Sequence, residues 1–153
     1  MKIIKRFVFI AALLLSLLPI FAQAELKTFA IISDTHIGSS DSVYEDFIKI
    51  IDAQDIKVII HTGDAIHNPG STKQWKRFFD ITGNDKKLHI APGNHDIRGK
   101  KTLTIFLKYF PEPYYSFSDG DTLCILLNSE IPGEEGMIKG KQLEWLATEL
   151  KKT

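Results

Sequence analysis

Three short apolar stretches each end in side chains of the kind that hold metal ions. Ile31-Ile32-Ser33 runs into Asp34-Thr35-His36, and Val58-Ile59-Ile60-His61-Thr62 runs into Gly63-Asp64. Leu88-His89-Ile90-Ala91-Pro92 runs into Gly93-Asn94-His95-Asp96. Carboxylate, imidazole and amide donors together suit divalent metals that activate water. Asp34 and His36, two apart on a turn, can reach one ion, and Asp64 has two oxygens with which to bridge it to a second. Asn94 offers that second ion a neutral carbonyl oxygen. His95 comes next and is expected to face the cleft, where Asp96 can accept a hydrogen bond from it that sets its tautomer and orientation. Gly63 and Gly93 leave room for close backbone approach or positive φ. An Asp-x-His or a Gly-Asp is common by itself. Ordered placement of all three behind strand-like runs makes the set specific.

Asp34, Asp64 and Asn94 follow one another at intervals of thirty residues, about the length of one β-α-β unit. Equivalent strand ends are therefore expected to carry them, and open α/β sheets bind ligands beyond the carboxyl ends of their strands. Leu26 to Ser33, Ile56 to His61 and Leu88 to Ala91 read as the strands. Phe29-Ala30-Ile31-Ile32 is a continuous apolar run suited to burial on both faces. Ser42 with Glu45 predicts a capping box, and Val43, Phe47, Ile50 and Ile51 predict one buried helix face. Asn68-Pro69-Gly70 breaks the chain before a helix through Trp75, Phe78 and Phe79 that ends near Gly83. Lys101 to Phe110 is predicted helical up to Pro111 and Pro113. Tyr114 to Phe117 and Thr122 to Asn128 read as strands joined at Asp119-Gly120, a hairpin signal. Lys141 to Lys151 closes as an amphipathic helix with Leu143, Leu146 and Leu150 on one side. The whole reads as one α/β domain.

A chain of 153 residues, 44% hydrophobic and 25% charged, is neither disordered nor collagen-like. Its formal charge of +0 hides an asymmetry, because Lys2, Lys5 and Arg6 precede the first acid, Glu25. Beyond residue 24 there are 16 basic and 19 acidic side chains, a mildly acidic body unlike a nucleic-acid binder. Residues 1–24 read as a secretory signal peptide: a basic start, the apolar stretch Phe7 to Phe21, and Ala22-Gln23-Ala24 as an A-x-A cleavage signal. The body, residues 25–153, is then periplasmic or secreted, with no stable membrane span after cleavage. Cys124 has no intramolecular partner for a disulfide and reads as a small core residue in a strand. His61 and His89 lie inside strand runs, where hydrogen-bonded structural roles are expected. His67, on the loop after Asp64, is a substrate-contact candidate of lower weight. Arg98, Lys100 and Lys101 read equally as phosphate attractors or as a solvated helix start.

With these residues in place the chain resembles the calcineurin-like metallophosphoesterase superfamily. That family's blocks are Asp-x-His, Gly-Asp, and Gly-Asn-His followed by an acid, and they stand here in family order from Leu26 onward. Tyr114-Tyr115-Ser116-Phe117 and Gln142-Leu143-Glu144-Trp145-Leu146 are similar to later family features. The resemblance implies an αββα β-sandwich flanked by helices, with two divalent or trivalent metal ions (Mn, Fe or Zn). Asp34 and His36 would bind the first ion, Asp64 would bridge, and Asn94 would bind the second. His95 would be the general acid or phosphate contact and Asp96 its support. The implied reaction is hydrolysis of a small-molecule phosphoester, monoester or diester, by a metal-bound hydroxide.

The family also places metal-binding histidines downstream, whereas all five histidines here lie at or before His95. The chain is therefore expected to be the N-terminal portion of such a domain, its second sheet incomplete. Two rival readings follow. One is a non-catalytic or inactive truncated envelope protein binding at most one metal. The other is an incomplete product exposing an unpaired sheet edge.

Overall fold

The computed structural model describes residues 28–152, so the leader expected over residues 1–24 lies outside the described residues. The three apolar runs form β1 (Phe29–Ile32), β2 (Val58–His61) and β3 (Lys87–Ile90), parallel and in the order β1-β2-β3. Their register aligns Ile32 with His61 and His61 with Ile90. The three candidate segments thus leave the sheet at one level.

Hydrogen bonding continues past the strands into the loops. The Asp34 N–H donates to Gly63 O at 2.9 Å, His36 N–H to Asp64 O at 3.0 Å and Ile37 N–H to Ala65 O at 2.9 Å. Two loops that would otherwise wander are zipped together. The continuous apolar run of β1 predicts burial on both faces, yet Phe29 and Ile31 are exposed. Phe29 and Ile31 share one face of β1, which is uncovered among the described residues, while Ala30 and Ile32 on the other face pack against the core.

Helix α1 (Tyr44–Ala53) joins β1 to β2, and α2 (Thr72–Thr82) joins β2 to β3. The capping box does not form at α1: the Ser42 hydroxyl donates to the Thr35 carbonyl instead, and Val43 takes the cap position. The buried stripe is also rotated from the expected one. Tyr44, Ile48 and Ile51 face inward with Phe47 beside them, while Val43 and Ile50 are each 58% exposed. Aromatic packing on α2 selects that stripe. The Tyr44 ring stacks on Phe78 at 4.7 Å, and its hydroxyl donates to Thr82 Oγ1 at 2.8 Å. Helix α2 starts at Ser71, whose hydroxyl accepts from Gln74 N, and ends at Gly83 as expected. Trp75 and Phe78 are fully buried, a burial that stabilises by about 1.5–3 kcal/mol per large side chain. Short α3 (Lys100–Phe106) adds Phe106, against Trp75 and Phe110, to this aromatic core.

The hairpin of β4 (Tyr115–Asp119) and β5 (Thr122–Leu126) turns at Gly120-Asp121 and forms a two-stranded sheet. It is tied to β3 by the His89 ring stacked on Phe117 at 3.4 Å, and by the Tyr115 hydroxyl, which accepts from Ile90 N at 3.2 Å. His89 is thus a structural residue. Cys124 is a free, half-buried thiol in β5 opposite Phe117. The last helix, α4 (Gly140–Glu149), buries Gln142 and Glu149, whereas Leu143 and Leu150 are exposed. Polar bonding wins over the leucine side. Gln142 Oε1 accepts from Asn128 N at 2.7 Å and its Nε2 donates to Asn128 O at 2.9 Å, docking α4 on the end of β5. Among the described residues the architecture is mixed α/β, a three-stranded parallel sheet with helices and a two-stranded antiparallel sheet. Among the described residues no helix is long and apolar enough to cross a membrane.

Candidate metal centre

Among the described residues, four non-glycine residues have positive φ: Asp34 (55°), His36 (41°), Asp64 (57°) and, after α1, Asp55 (54°). Such conformations are uncommon outside glycine and cost on the order of 1–3 kcal/mol each. Three of the four are candidate ligands. Their strained backbones turn the side chains together, with His36 Nε2 3.8 Å from Asp34 Oδ1 and 4.0 Å from Asp64 Oδ2. Donors about 2.1 Å from one ion stand roughly 3–3.5 Å apart, so closure on an ion needs only small shifts. His36 Nδ1 is buried with no hydrogen-bond partner. Two carboxylates and an imidazole converging on one point fit a divalent cation of the expected class.

The glycines enforce this approach. A Cβ on Gly63, at φ 117°, would stand 2.8 Å from Gly93 N, and a Cβ on Gly93 would stand 2.2 Å from Asp64 Oδ1. Any larger residue at Gly93 displaces the Asp64 carboxylate. That carboxylate is further held by the His95 N–H, which donates to Oδ1 at 2.8 Å and leaves Oδ2 toward His36. Asn94 is exposed, between the tightly packed Gly93 and His95.

Asp96 is fully buried, but its carboxylate is not the partner of the His95 ring. Oδ2 accepts from the N–H groups of Asp64 (2.8 Å) and Gly93 (3.0 Å), and Oδ1 from Ala65 (3.0 Å) and Ile66 (3.4 Å). Burial pushes this carboxyl up to about 7, with the Asp64 charge adding to the rise, while the backbone donors favour the anion. The expected bond from His95 to Asp96 is replaced by one from His95 Nδ1 to the His67 carbonyl at 2.6 Å. A carbonyl only accepts, so Nδ1 carries the proton and Nε2 the lone pair. His67 joins the site in a way its loop position did not reveal, its ring near both His36 and His95.

Behind the ligands lies His61, fully buried. The Gly63 N–H donates to its Nδ1 at 3.2 Å, so Nε2–H donates to Thr35 Oγ1 at 2.9 Å, and the threonine hydroxyl donates to Ala65 O at 3.1 Å. Burial holds the imidazole down near 4; the Asp34 charge opposes this and His36 adds to it. Its folded value lies below its unfolded one of about 6.5. Stability is therefore full above pH 6.5 and lost as pH falls toward 4, by at most roughly 3 kcal/mol. Denaturant midpoints measured across that window should fall more steeply for the wild type than for His61→Gln. Equal slopes would remove His61 as the cause.

The calcineurin-like phosphoesterase family model matches residues 27–151, a span holding every residue of this centre. The chain belongs to the calcineurin-like phosphoesterase family. Among solved structures it is similar to a purple acid phosphatase isolated from yellow lupin (Lupinus luteus) seeds, with a TM-score of 0.64 and 19% sequence identity. That match covers 82% of this chain and 27% of the phosphatase, so the likeness is one of fold. No curated protein sequence matches the chain. In this member of the family, β1 and β2 deliver the carboxylate–imidazole set and β3 delivers the Asn94-His95-Asp96 loop that braces it.

Proposed function

We propose that this protein is a metal-dependent hydrolase of phosphoesters, acting outside the cytoplasm as the leader-like residues 1–24 suggest. The reading rests on one observation above the others: Asp34, His36 and Asp64 adopt strained backbones and converge on one point. Asp34, His36 and Asp64 would hold a first ion of the Mn, Fe or Zn class, and Asp64 with Asn94 a second. Such ions, when bound, acidify water and neutralise charge on the phosphoryl group. The chain's own work is then positioning and proton transfer. The His95 N–H fixes Asp64, and the His67 carbonyl orients the His95 ring with Nε2 available. With a proton on Nε2, His95 gives it to the departing oxygen as the P–O bond breaks, while the attacking water leaves its oxygen on phosphorus and loses a proton to solvent.

His95→Ala is expected to keep manganese affinity within about twofold and to lose roughly 10²–10⁴-fold in kcat. Hydrolysis of p-nitrophenyl phosphate and bis(p-nitrophenyl) phosphate, with and without manganese, measures this, and unchanged turnover would remove His95 from the mechanism. The second ion is offered only Asp64 and Asn94, with Asp64 shared, which favours a second reading, a binding protein that holds one ion. A manganese stoichiometry of one per chain without turnover would support it.

A further inference from the structure

We propose that His36, His67 and His95 form a three-imidazole site for a transition-metal ion of the zinc class, distinct from the Asp34–His36–Asp64 set. One ring nitrogen from each histidine lies within 4.8 Å of the other two. Ring centroids are 4.6 Å apart for His36–His95, 5.7 Å for His67–His95 and 5.8 Å for His36–His67. Three imidazoles on one tetrahedral ion, each nitrogen at about 2.0–2.1 Å, place their ring centroids about 5 Å apart. The ring spacing matches such a site, and nitrogens up to 4.8 Å apart must close to roughly 3.3 Å on the ion.

The tautomer suits the role. His95 donates Nδ1–H to the His67 carbonyl, the kind of outer contact that holds a metal-ligating imidazole in place, and the lone pair is left on Nε2. His67 is exposed, so its ring can adjust without disturbing the core. The surroundings favour a cation over an anion. Asp34 and Asp64 border His36. An all-nitrogen donor set selects zinc, cobalt, nickel or copper, whereas the carboxylate-rich set accepts manganese.

His36 belongs to both sets, so the two sites draw on the same imidazole. On the hydrolase reading above, an ion on the three rings also takes the His95 lone pair that must carry the transferred proton. Occupancy by excess zinc is then inhibitory.

Metal binding itself tests the site. Zinc titration by calorimetry and cobalt titration by visible absorption are made on the full chain and on His67→Ala, His67→Gln and Asp64→Asn. Both His67 variants should lose at least about tenfold in zinc affinity, together with the intense tetrahedral cobalt bands, while manganese affinity stays within about twofold. Asp64→Asn should do the reverse, losing manganese and keeping zinc within about threefold. Zinc binding unchanged in both His67 variants, or lost along with manganese in Asp64→Asn, would overturn the proposal. Absence of any Asp64-dependent binding of manganese, iron or zinc in the wild type, alongside His67-dependent zinc binding, would sink the hydrolase reading and leave this site standing.

Discussion

Asp96→Ala is expected to lower global stability by roughly 3 kcal/mol, because it strands four N–H donors at once, two buried and two part-buried. Gly93, Asp64, Ala65 and Ile66 all point their N–H groups at this one carboxylate, and a domain has only about 5–15 kcal/mol to lose. Water entering the vacated space would relieve part of the penalty. Asp96→Asn separates charge from shape. Each carboxylate oxygen serves two N–H groups, so an amide in either orientation aims its NH₂ at two donors and an intermediate loss is expected. Denaturant unfolding of the three proteins measures the order. A midpoint for Asp96→Ala equal to the wild type would mean that the loops hold without the carboxylate. Manganese affinity should fall in both variants, since the same bonds set the Asp64 backbone at its positive φ.

Asp64 carries the second large effect. Asp64→Asn keeps an oxygen to accept the His95 N–H and removes the negative charge facing His36. Manganese affinity is expected to fall more than about 100-fold, beyond the 10–100-fold typical of losing an outer contact. Thermal unfolding offers an independent readout. An ion at 100 times its dissociation constant stabilises a folded protein by about 2.7 kcal/mol, so manganese should raise the wild-type midpoint and leave that of Asp64→Asn in place. Equal shifts would move the ion away from Asp64. Gly93 acts on the same carboxylate from the other side, its missing Cβ leaving the space that Asp64 Oδ1 fills.

Local order along the chain determined much of this protein. β-branched runs closing on Asp34, Asp64 and Asn94 at thirty-residue intervals announce three parallel strands with their functional ends level, and the register agrees. The α2 helix stopping at Gly83 and the hairpin within Ser118–Asp121 were equally legible, because turn and cap chemistry is written in adjacent residues. Tertiary structure alone decided which side of an element is buried and which backbone group each polar side chain meets. Helix α1 offers more apolar residues than one stripe can use, and the Tyr44–Phe78 stack chose among them. Helix α4 turns Gln142 inward to meet Asn128. Asp96 turns from its neighbour His95 to the N–H groups of another strand's loop, and His95 takes the His67 carbonyl. These are bonds between side chains and distant backbone, and they leave no periodic trace. A hydrogen bond from a loop thirty residues away looks, in the sequence, like any other aspartate.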